Sequence, residues 1–103
     1  MSNGEWGVFK EYDNTVRIYY CLDCRQYCGT MRMRRVTDGD GNVHKEYKIV
    51  CDRCGKNGTL HWSKNLAEHS WKAVNPNMNE DYISMSVDDF IRRRKDIVEE
   101  RQS

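Results

Sequence analysis

Two short cysteine pairs, Cys21-Leu22-Asp23-Cys24 and Cys51-Asp52-Arg53-Cys54, constrain this chain more than any other feature. Each is a C-x2-C knuckle, in which two intervening residues let both sulfurs face one ion at about 2.3 Å. Twenty-six residues separate Cys24 from Cys51. They hold two β-patterned runs, Thr30–Thr37 and Val43–Val50, around an Asp38-Gly39-Asp40-Gly41-Asn42 cluster. That pattern predicts a β-hairpin. A hairpin leaving one knuckle and returning beside it gathers four thiolates into a closed tetrahedron, the usual structural zinc arrangement. The expected cofactor is therefore one structural Zn2+ on Cys21, Cys24, Cys51 and Cys54.

Other uses of these cysteines fit less well. A disulfide pair needs an oxidising compartment. An iron–sulfur cluster is ill suited to two knuckles flanking a long hairpin. A thioredoxin-like pair needs a βαβ context that is absent, and a catalytic zinc keeps a position open that four thiolates would close. The fifth cysteine leaves a choice. Cys28-Gly29 repeats the Cys-Gly ending of Cys54-Gly55, so Cys28 competes with Cys21 for a place at the ion. The matching two-residue gap favours Cys21, with Cys28 a small buried or half-buried thiol.

The composition says why a metal is needed. Val, Ile, Leu and Phe make up 18 of 103 residues, enough for a thin core only. Small domains with thin cores usually depend on a disulfide or metal staple. No apolar run approaches the roughly 18–20 residues of a membrane span. Met1-Ser2-Asn3-Gly4-Glu5-Trp6-Gly7 does not read as a signal peptide, so a reducing cytoplasm is expected.

Along the chain, residues 6–12 and 15–20 are rich in β-branched and aromatic types around an Asp13-Asn14 turn signal, which predicts a short N-terminal hairpin. The Asp/Gly/Asn cluster at 38–42 lacks the further oxygen ligands of an EF-hand and reads as a turn. Ser63 to Val74 is expected to be a short helix with Ser63 as N-cap and Leu66, Ser70, Trp71 and Val74 on one face. Asn75-Pro76-Asn77 ends it. Ser86-Val87-Asp88-Asp89 opens a second helix, with an apolar stripe of Val87, Phe90, Ile91, Ile97 and Val98 that also takes in Arg94. The expected organisation is a ribbon domain over 1–74, a linker over 75–85 and an amphipathic helix over 86–103. The fold class is small α+β: a zinc ribbon plus one or two C-terminal helices.

Residues 16–62 resemble the zinc-ribbon superfamily: a knuckle, a hairpin, a second knuckle and a following strand. A narrower similarity starts at Val50-Cys51-Asp52-Arg53-Cys54-Gly55-Lys56-Asn57-Gly58 and continues through Leu66-Ala67 and Trp71. It looks like the small phage and prophage ribbons of the restriction-alleviation (Lar-like) type. This resemblance implies a small accessory protein, acting in the host cytoplasm if viral.

Charge suggests two kinds of partner. Residues 16–64 carry ten Lys/Arg against five acids, while the segments on either side are each net −2. Arg32, Arg34, Arg35, Lys45 and Lys48 fall on the central hairpin, where they could contact phosphates, and nearby tyrosines offer stacking faces. A solvated outer face is the competing reading. Phe90, Ile91, Arg92 and Arg93 mark the last helix as a partner-protein surface, against the simpler reading of intrahelical pairing. His61, Asn65 and His69 resemble an HNH nuclease only superficially, because they follow both knuckles. No set of nucleophile, base and oxyanion donors is present, so no enzyme is expected. No small-molecule substrate or membrane partner is expected either. The leading expectation is a nucleic-acid or transcription-associated ribbon. The alternative is an accessory protein that modulates a host restriction or transcription protein.

Overall fold

The computed structural model describes residues 4–77 and 80–102, the last seven by backbone alone. It is a small α+β structure of five antiparallel strands and two helices: β1 (Gly7–Val8), β2 (Thr15–Cys21), β3 (Gln26–Thr37), β4 (Val43–Cys51), α1 (Lys64–Val74), β5 (Tyr82–Ser86) and α2 (Val87–Gln102). No described helix is long and apolar enough to cross a membrane.

The β3–β4 hairpin is the spine, paired from Gly29↔Cys51 to Thr37↔Val43. Its tip is built by one carboxylate. Asp38 accepts hydrogen bonds from the backbone N–H groups of Asp40 and Asn42, both at 2.9 Å, and lies 2.9 Å from His44 Nε2. Gly41 supplies the positive φ of 85°. A short Asp that captures nearby N–H groups is turn chemistry, as the sequence implies.

The other edge of β3 is shared. β2 pairs with its first part, from Cys21↔Gln26 to Ile18↔Thr30, and β1 with its later part, at Val8↔Arg32 and Gly7↔Met33. The N-terminal segment departs from the expected hairpin. The turn over residues 11–15 forms, closed by Glu11 N–H to Thr15 O at 2.8 Å, with Asn14 at φ 61°. However, β1 pairs with β3 rather than β2, because β3 is twelve residues long and β2 covers only part of its edge.

The linker expected over 75–85 also needs correction, because it ends in a strand. β5 pairs with β2 over five positions, from Thr15↔Ser86 to Tyr19↔Tyr82. Tyr82-Ile83-Ser84-Met85-Ser86 alternates, but it is short and follows an Asn/Pro-rich stretch that reads as loop.

The sheet is covered on both faces. On one, α1 lays Ala67 and Trp71 over Tyr19, Met31 and Ile49. On the other, Phe90 of α2 seals Val16 and Ile18. Register explains the split: Tyr19↔Gly29 and Met31↔Ile49 point one way, and Ile18↔Thr30 the other. Trp71 fits because two positions near it lack side chains. A Cβ on Gly58 would lie 3.1 Å from the Trp71 ring and 3.0 Å from Ile49 O, and one on Gly29 would lie 3.2 Å from the ring. The buried face of α1 therefore differs from the expected one. Leu66 and Val74 are 53% and 54% exposed, and the smaller Ala67 takes the inward place that lets the helix approach the sheet. Ser63 precedes α1 in an extended conformation but makes no side-chain cap. Ser86 does cap α2, accepting the Asp89 N–H at 3.2 Å. The side chains of Ile97 and Val98 in the expected stripe lie outside the described residues.

Candidate metal centre and basic face

Both knuckles sit at one end of the sheet. Cys21 ends β2, and the four residues after it turn the chain into β3. Cys51 ends β4, and Gly55 N–H returns to Cys51 O at 3.0 Å. The residue after each second knuckle cysteine is left-handed: Arg25 at φ 55° and Gly55 at φ 80°. The two loops thus repeat one local conformation, the second with the residue type that adopts it without cost. Asn75, at the end of α1, ties the loops together. Its Oδ1 accepts from Leu22 N–H at 3.0 Å and from Lys56 Nζ at 3.2 Å, and its Nδ2 donates to Trp71 O at 3.1 Å.

Cys28 joins the same cluster. Tyr19 pairs with Gly29 but Tyr20 with Tyr27, so the register slips and Cys28 is the extra residue of a bulge in β3. A bulge re-aims its side chain, and Cys28 packs with the residues under α1 while also lining the small cavity beside Ile18, Phe90 and Arg93. The sulfurs of Cys21, Cys24, Cys28 and Cys51 all lie within 4.8 Å of one another. Cys54 Sγ lies 3.8 Å from Cys21 Sγ, Cys24 Sγ 3.7 Å from Cys51 Sγ, and Cys28 Sγ 3.2 Å from Cys51 Sγ. None is in a disulfide. The sequence frames Cys28 as a replacement for Cys21, but in the structure both are present.

Four close cysteines of this kind could coordinate one metal ion. Hydrogen bonding to Cys51 and burial push the Cys28 thiol well up, and burial raises Cys21 and Cys24. Cys51 is lowered, first by the Cys28 thiol and then by the backbone N–H groups of Cys54 and Arg53, which overcome its burial. Burial and mutual crowding thus favour the neutral form of Cys21, Cys24 and Cys28.

The five hairpin cations do not form one patch. Arg32↔Lys48 and Arg34↔Glu46 place Arg32, Arg34 and Lys48 on the α2 face, whereas Arg35↔Lys45 points to the other. Arg32 is paired with Asp52, and Arg34 Nε lies 2.6 Å from Glu46. Sequence spacing locates these arginines but not their carboxylate partners, which come from β4 and the second knuckle. Two aromatic residues escaped the sequence reading. The Trp6 ring lies between Arg34 (4.6 Å) and Lys48 (4.5 Å), and exposed Trp62 stands edge-on to His44 at 5.4 Å. A short run of contacts also brings α2 to this face. Thr30, Asp52, Phe90, Arg93 and Arg94 line one small cavity, and Arg93 donates to Tyr27 O. Ile91 and Arg92 face away, with Ile91 58% exposed and Arg92 held by Asp89 at 2.5 Å. His61 is engaged by Ser70 Oγ at 2.5 Å.

No protein-family model matches this chain, and neither the curated proteins nor the solved structures yield a match.

Proposed function

We propose that this chain is a non-enzymatic zinc-binding ribbon that contacts nucleic acid through the face shared by its hairpin and α2. An all-sulfur donor set suits zinc. Four sulfurs each 2.3 Å from a tetrahedral ion lie about 3.8 Å apart. The Cys21–Cys54 and Cys24–Cys51 separations of 3.8 and 3.7 Å match that edge, which supports Cys21, Cys24, Cys51 and Cys54 as the ligands. The ion would clamp the bases of both hairpin strands and supply folding free energy that the thin core lacks.

The observation that carries the nucleic-acid role is the Trp6 ring with the Arg34 guanidinium and the Lys48 ammonium both over it. Arg93 and Arg94 extend the positive charge of that face towards α2. An aromatic plane beside the Lys48 ammonium suits an unpaired base and its phosphate. Fluorescence anisotropy with a labelled single-stranded oligonucleotide tests the role. Binding should weaken steeply with salt, and Lys48→Ala should flatten that dependence. Absence of binding at low salt removes this reading. The exposed Ile91 favours a second one, in which α2 docks on a partner protein as the phage-type resemblance suggests. Ile91→Asp should then abolish capture of that partner while leaving metal content unchanged.

A further inference from the structure

Zinc takes four sulfurs, yet five converge at this end of the sheet. Resting on the zinc reading above, we infer that Cys28 is a reserve ligand that replaces Cys54 at the ion when Cys54 is withdrawn or chemically blocked. Two quartets share Cys21, Cys24 and Cys51. One is completed by Cys54, 3.8 Å from Cys21, and the other by Cys28, whose sulfur lies within 4.8 Å of the other three. The two candidates differ in environment. Cys54 is exposed at the rim, on a loop closed by Gly55 N–H to Cys51 O and Cys51 N–H to Lys56 O. Cys28 is buried behind the cluster, aimed there by the β3 bulge and fixed by the Asp52 N–H bond to Cys28 O at 2.9 Å. For Cys28 to enter the tetrahedron, its 3.2 Å approach to Cys51 must open to about 3.8 Å, a change within reach of side-chain rotation. No strand has to move.

When an electrophile such as a maleimide reaches the rim, the Cys54 sulfur adds across its double bond, and the adjacent carbon takes a proton from water. Cys28 then loses its thiol proton to solvent and takes the vacated position, so the ion keeps four thiolates.

Cobalt substitution of the full chain tests this. Cys54→Ser and Cys28→Ser should each bind one Co2+ with the charge-transfer intensity of four thiolates, and the double variant should lose that intensity. A three-thiolate spectrum from either single variant overturns the inference. If the unmutated chain shows no thiolate–Co2+ signature, the zinc reading itself fails, which is a distinguishable result. Because a variant can fail to fold, a second measurement uses the unmutated zinc-loaded protein. After maleimide treatment, native mass spectrometry should show one adduct, mapped to Cys54, with one zinc retained. Loss of zinc with the adduct, or no adduct, contradicts the inference.

Discussion

Arg25 occupies a left-handed backbone position that Gly55 fills in the companion loop. A side chain there costs on the order of 1 kcal/mol, because Cβ crowds the following carbonyl. Arg25→Gly should therefore raise the stability of the metal-loaded protein by about 1 kcal/mol, and Gly55→Ala should lower it by about as much, both read from denaturant midpoints. Asn75 is a second point where one side chain serves the whole site. It is buried and holds Leu22, Lys56 and Trp71 at once. Asn75→Ala leaves these groups without their partner and should cost roughly 1–3 kcal/mol, with faster loss of metal to a chelator than in the parent. The sequence shows Asn75 only as a helix stop before Pro76. Its role depends on contacts more than fifty residues away in one case, and no local pattern encodes those.

At the level of elements, the parts with strong local signals are the ones that sequence alone delivers. The β3–β4 hairpin, its Asp-rich tip, both knuckles, α1 and α2 follow from alternation, turn residues and caps. β1 and β5 do not, because each is short and defined only by the edge it completes: β1 on β3, β5 on β2. The buried face of α1 is misread for a related reason. The apolar pattern points to Leu66 and Val74, but close approach to Gly58 and Gly29 selects Ala67 and Trp71. The docking of α2 rests mainly on Phe90, 6% exposed against Val16 and Ile18. Phe90→Ala should cost about 3 kcal/mol or more. It should also strip amide-exchange protection from α2, while the cysteine cluster, of which only Cys28 shares a cavity with Phe90, keeps its metal affinity. Loss of metal in that variant would mean that the two faces are not separate units.

Across the whole molecule, a single thin sheet carries two small cores, one per face, and the five cysteines lie where β2, β3 and β4 meet. Neither core is large, so the stability of the molecule should follow occupancy of the cysteine site. Structural zinc in small domains contributes on the order of 10 kcal/mol at neutral pH, through thiolates that protons compete for. Acidification should therefore release the metal and lower the melting temperature together. The most direct test is thermal unfolding of the same preparation before and after chelation, with the metal content measured in each. The expected result is one zinc per chain and a cooperative melt that falls sharply or disappears when the zinc is removed. It is contradicted by a metal-free protein that melts with undiminished cooperativity at the same temperature.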